Sequence, residues 1–147
     1  FTELNRVLIP GGGVVLLEPY YGPFATFLFK RLFPTEGFDK KAVSWEHTFA
    51  GPMSGANQAL SYIVFVRDRK KFQEQFPALQ IVHMAIVPNY VKYVCSGGLN
   101  FKQLTPDCMS RSLLPWLQNM LMPLDRWLAL HHVIVLKKTD QERSCES

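Results

Sequence analysis

"LNRVLIPGGGVVLLEP", residues 4–19, decides the fold class. Phe1, Leu4, Val7 and Leu8 recur at helical spacing, which predicts a helix over 1–9. Glu3 lies early and Arg6 late in it, as the helix dipole favours. Pro10 stops the helix, and Gly11, Gly12 and Gly13 supply the turn that follows. Val14–Leu17 is continuously apolar, which predicts a strand covered on both faces in a parallel sheet, ending at Glu18-Pro19. Helix, tight turn and buried strand form the interior of an α/β domain. A chain that opens on Phe1 in the middle of such a unit is therefore expected to be part of a longer one.

The composition is that of a folded protein. Apolar residues make up 48% of the 147 and charged residues 19%. Eleven phenylalanines require a core, a ligand pocket or both. The net charge of +4 has one dense cluster, Arg67, Arg69, Lys70 and Lys71, with Asp68 and Glu74 among them. This reads as a solvated helix face, so no nucleic-acid partner is expected. Cys95, Cys108 and Cys145 have no CxxC spacing, which suits free thiols in a reducing compartment. His131 and His132, adjacent on a strand, would point to opposite faces, so no metal is expected. No apolar run is long enough to span a bilayer, and a soluble cytoplasmic protein is the expectation.

Working outward, residues 20–62 form an excursion from the sheet. Phe24, Phe27, Leu28 and Leu32 share one side of a helix, with Arg31 intruding, and Ser54 resembles a helix cap. Tyr62–Val66 runs into a surface helix carrying Phe72 and Phe76, which ends at Pro77. Leu79–Val87 reads as the next strand, and "NYVKYVCSGG" as its tail or a loop. A second excursion, 105–130, carries Leu113, Leu117, Met120 and Leu121 at helical spacing, with Pro115 in the first turn. "HHVIVLKK" is the last strand, and 139–147 is expected to be a disordered tail.

The residues Arg6, Leu8, Pro10, Gly11 and Gly12 match the "R-x-L-x-P-G-G" turn of class I S-adenosylmethionine-dependent methyltransferases. The opening stretch thus resembles the family's passage from the fourth crossover helix into the fifth strand. "FQEQFPALQIVHMAIVPN" is similar to the helix and sixth strand that follow, and "ALHHVIVLKK" to the antiparallel seventh strand. The resemblance implies an α/β fold, the C-terminal portion of a Rossmann-like methyltransferase sheet. Residues 1–138 would form a partial domain, with helical cap insertions at about 20–62 and 105–130. It implies S-adenosylmethionine as cofactor of the larger enzyme and a small, aromatic or lipid-like methyl acceptor. The family's glycine-rich cofactor turn follows a strand, whereas Gly11–Gly13 follow a helix. The main cofactor motif is thus absent, and the chain alone is expected to be inactive and to bind the cofactor weakly.

In open α/β sheets the ligand crevice lies beyond the carboxyl ends of the strands. Glu18, Tyr20 and Tyr21 follow the first strand and become candidate substrate contacts, packing being the alternative. "SWEHTFAGPMSGANQ" supplies Trp45, His47 and Asn57, with His47 as a candidate general base. If 90–94 is extended, Tyr90 and Tyr93 lie on opposite faces and either could reach substrate from a second wall. A rival reading is a non-catalytic binding or membrane-surface module, in which the Phe24–Phe33 helix lies at a bilayer. Self-association through an unpaired edge of the truncated sheet is a further expectation.

Overall fold

The computed structural model describes residues 1–33, 37–46, 57–97, 103 and 105–139. It is a mixed α/β structure: a small antiparallel sheet of three strands, with helices on one face and at one end. The strands are β1 (Gly13–Pro19), β2 (Leu79–Val87) and β3 (His131–Lys138), in the spatial order β1-β3-β2. β3 runs against both neighbours, pairing Leu16 with Ile134 and Met84 with Ile134. A bulge between Ile81 and His83 shifts the β2 register by one residue. Two strands that are each antiparallel to a third are parallel to one another, so β1 and β2 end on the same side. All three expected strands belong to one sheet.

The opening unit forms largely as its chemistry dictates. Helix α1 (Thr2–Val7) ends where Leu8 turns extended, and Gly11 takes a φ of 74°. A Cβ on Gly12 would lie 2.9 Å from the Ile9 carbonyl oxygen, so the turn closes only around glycine there. Gly11 N–H donates to the Lys138 carbonyl (3.0 Å), and Lys138 N–H donates to that of Gly12 (2.8 Å). The Lys138 ammonium donates to the carbonyls of Asn5 (2.6 Å) and Leu8 (2.9 Å), supplying donors at the helix C-terminus.

One sheet face is buried and the other is open. Val14, Leu16, Ile134, Leu136 and Leu79 pack against Val64, Phe65 and Phe72 of the helical segment that runs from Leu60 to Gln75. That segment comprises α3 (Leu60–Tyr62), a π-turn (Ile63–Arg67) and α4 (Arg69–Gln75). Phe1, Phe65 and Phe72 meet edge to face, with centroids 5.1–5.6 Å apart. On the opposite face Val15 and Leu17 are 66% and 62% exposed. The expectation that Val14–Leu17 is covered on both faces is therefore corrected: the covering helices all lie on the Val14 and Leu16 side.

A second core sits at the end of the sheet, where α2 (Pro23–Leu32), α5 (Tyr90–Cys95), α6 (Asp107–Leu121) and α7 (Asp125–Leu128) converge. Its centre is Tyr20, Ala25, Phe29, Tyr90, Leu114, Ala129 and Leu130. Within α2 it is Ala25 and Phe29 that are buried, while Phe27 points outward, off the expected face. The reading of 90–94 as a tail or extended segment is also corrected, because these residues form α5. Pro88 ends β2, and Tyr90 and Val91 then bury against α6, an outcome that β-branched local preference does not foresee. Pro115 lies inside α6 rather than in its first turn. Ser54 and the tail from residue 140 onward lie outside the described residues. No helix among the described residues is long and apolar enough to cross a membrane.

Candidate functional site

The carboxyl end of β1, the start of β3 and α3 meet around Tyr20, Tyr21, Ser61 and His132. Alternation along β3 sends His132 inward with Ile134 and Leu136, so that it is only 2% exposed. Ser61 Oγ donates to the Pro19 carbonyl at 3.0 Å and lies 3.0 Å from His132 Nε2. The serine hydroxyl has one proton, and with that given to Pro19 the imidazole must donate through Nε2–H. Burial, then the neighbouring His131, push His132 down to about 4. It is a neutral imidazole at physiological pH, fixed in one tautomer.

Aromatic rings enclose this pair. Tyr20 and Tyr21 have centroids 4.5 Å apart, Tyr21 and Tyr62 lie at 4.9 Å, and both Tyr20 and Tyr21 stand 5.7 Å from the His132 ring. Lys40 donates to the Tyr21 carbonyl at 2.7 Å, with its ammonium 5.5 Å from the Tyr62 ring centroid. Burial, then Lys30, lower the Lys40 pKa, and burial, then Tyr20, raise that of Tyr21. Tyr20, Tyr21, Met84, Ile86, Arg126 and His132 line an open cleft of about 320 Å³. Its chemistry is an aromatic and aliphatic cradle, one buried neutral imidazole and one exposed cation, Arg126. Such a surface can hold and orient a flat or apolar molecule and exclude water from it.

The other sequence candidates divide between this cleft and separate surroundings. Glu18 pairs with His132 in the register and is partly buried, which pushes its carboxyl up, yet it does not line the cleft. Trp45 Nε1 donates to Asp68 Oδ2 at 3.0 Å, and Lys71 lies 4.8 Å from its ring centroid. Arg67 first, and then Trp45, hold Asp68 down to about 2. Asn57 spends its side chain on Asp39 and Ala59, donating to the Asp39 carbonyl (2.6 Å) and accepting both backbone N–H groups. Trp45 and Asn57 line a different cavity, of about 370 Å³, with Asp39 and Glu46. Tyr90 is buried, its hydroxyl 3.0 Å from both the Leu121 carbonyl and Asp125 Oδ1. Tyr93 packs edge-on against His131 at 4.7 Å. His47 lies outside the described residues.

Three members of the site escaped the sequence reading. Ser61 and His132 lie 71 positions apart, and no spacing rule joins them. His132 stood out only as a possible metal ligand beside His131, and Arg126 only as part of an excursion. Among the described residues no group of three His, Cys, Asp or Glu side chains is placed to hold a metal ion. Comparison with protein-family models, with curated proteins and with solved structures finds no match to this chain.

Proposed function

We propose that the chain is the C-terminal part of a class I S-adenosylmethionine-dependent methyltransferase, a cytoplasmic enzyme with a Rossmann-like sheet. Its acceptor is a small aromatic or lipid-like molecule. The observation that carries this reading is the strand order β1-β3-β2, in which the last strand lies between two earlier ones and runs against both. That is the arrangement the resemblance implies for strands five, seven and six. The cleft supports it further, lying by the carboxyl ends of β1 and β2, near where open α/β sheets bind ligands.

The glycine turn does not fit a cofactor cradle. Gly11 N–H is committed to the Lys138 carbonyl and Gly12 N–H to that of Ile9, leaving neither amide for a ligand. In this reading the described residues contribute the acceptor side alone. In this reading Tyr20, Tyr21 and Ile86 cradle the acceptor, the Ser61–His132 pair holds the floor of the cleft, and Arg126 flanks it. Methyl transfer gains chiefly from alignment and exclusion of water, which such a surface supplies.

The rival reading drew on the Phe24–Phe33 helix as a membrane contact, but Phe29 is buried and Phe24, Leu28 and Leu32 pack on the cap core. The test is transfer of tritiated methyl groups by the parent protein to a panel of aromatic and lipid-like acceptors. Label in an extractable product is expected. No transfer and no cofactor binding by the parent protein would overturn the reading. Calorimetric titration of this chain alone should give only weak S-adenosylmethionine binding; micromolar affinity, about −8 kcal/mol, would show the cofactor site to be misplaced.

A further inference from the structure

Helix α6 carries more apolar surface than the fold consumes. Leu114, Leu117 and Leu121 turn into the cap core. Met109, Leu113, Trp116 and Met120 recur at intervals of four, three and four residues, which places all four in one narrow stripe on another side. Every one of them is exposed, Trp116 by 61%. The turn after the helix adds exposed Met122 and Leu124, and α7 adds Trp127, 63% exposed. Two indoles at that exposure and five aliphatic side chains sum to roughly 700 Å², more than the few hundred that the largest apolar patch of a monomer usually spans.

The lobe that carries this surface has a net positive charge. α2 packs on α7 and α5 on α6, so these helices form one lobe. They bear Lys30, Arg31, Lys92, Arg111 and Arg126, all exposed, against Asp107 and Asp125, with Arg111 on the side of α6 away from the stripe. The Asp125 carboxylate is engaged by the Tyr90 hydroxyl. Most of the chain's net charge of +4 is therefore carried by the lobe that presents the bare indoles.

We propose that the Met109–Trp127 surface seats the protein on an anionic phospholipid bilayer. Trp116 and Trp127 lie at headgroup depth, the Met and Leu side chains reach below them, and the net positive charge of the lobe draws it to the lipid phosphates. The helix lies in the interface rather than through it, at 15 residues being too short to span. A second copy fits less well, because a two-fold contact would set one cationic lobe against another. The inference stands apart from the methyltransferase reading, since it is measured without cofactor or acceptor.

The experiment is flotation of the full chain with vesicles of phosphatidylcholine and phosphatidylglycerol, beside phosphatidylcholine alone. The protein should float with the anionic vesicles and weakly or not at all with the neutral ones, and its binding should fall with added salt. In the double variant Trp116→Ser, Trp127→Ser partitioning should drop at least about tenfold with the melting temperature unchanged, both side chains being mostly in water. A second measurement needs no variant: acyl-chain-brominated phospholipid should quench tryptophan emission of the unaltered chain. Absence of flotation, flotation unaltered by the double substitution, or no quenching by brominated lipid would each overturn the proposal. A dimer that the double variant abolishes, without vesicle binding, would overturn it in favour of a seam between copies.

Discussion

Acidification should destabilise this fold through His132. The imidazole is 2% exposed, and burial brings it down from 6.5 to about 4. The folded state thus keeps it neutral at pH values where the unfolded chain binds a proton. Stability then rises with pH between about 4 and 6.5, and is lost as pH falls through that window. At about pH 5 the loss is about 2 kcal/mol, from roughly 1.4 kcal/mol per pH unit below 6.5. For a chain of this size that is about 4–8 °C in Tm. Two other groups titrate nearby. His131, lowered by burial, acts in the same sense. Glu18, raised by burial from 4.5, acts in the opposite one: its contribution is present below 4.5 and lost as pH rises through its folded value. The assay is urea unfolding across about pH 4.5–7.5 for the native chain and His132→Gln, both also carrying Glu18→Gln to remove the opposing carboxyl. Glutamine retains an N–H for Ser61 but cannot take up a proton. Most of the slope should vanish in His132→Gln; an unchanged slope would refute the assignment of acid sensitivity to this buried ring.

On the proposed methyltransferase reading, replacing Tyr21 by Ala in the parent protein removes a wall of the cleft and should lower kcat/KM about tenfold, about 1.4 kcal/mol, whereas Lys70→Ala, exposed on α4, serves as an unaffected control. A fall in melting temperature with unchanged kinetics would make Tyr21 a packing residue. Glu18→Gln should raise the melting temperature at neutral pH, because a partly buried carboxylate with a raised pKa is costly in its charged form; circular dichroism decides it. Lys138→Met removes two donors from the end of α1 and should cost about 1–2 kcal/mol, with faster amide exchange in α1 and the Gly11 turn than in β2.

The parts of the fold written in short-range chemistry were legible. Pro10 and the glycines after it mark a turn whatever surrounds them, and the three apolar runs became the three strands of one sheet. What a local pattern cannot state is how many neighbours an apolar residue has. Val14–Leu17 reads the same whether one face or two are covered, and Val15 and Leu17 stand in water. Tyr90–Cys95, with valines at alternate polar breaks, favours a strand locally, yet the Tyr90 hydroxyl reaches Leu121 and Asp125 only from a helix packed on α6. The Ser61–His132 pair exists because strand alternation and the first turn of α3 happen to meet, which no spacing within either segment encodes. α6 shows the same limit at its sharpest. Leu113, Leu117, Met120 and Leu121 all fit one helical periodicity, but the structure sends Leu117 and Leu121 to the core and leaves Leu113 and Met120 outside with Trp116. A stripe broad enough for two partners looks, in sequence, like a stripe for one. Only after the core has taken its share is the remainder left exposed as a second apolar stripe, on a lobe whose net charge is positive.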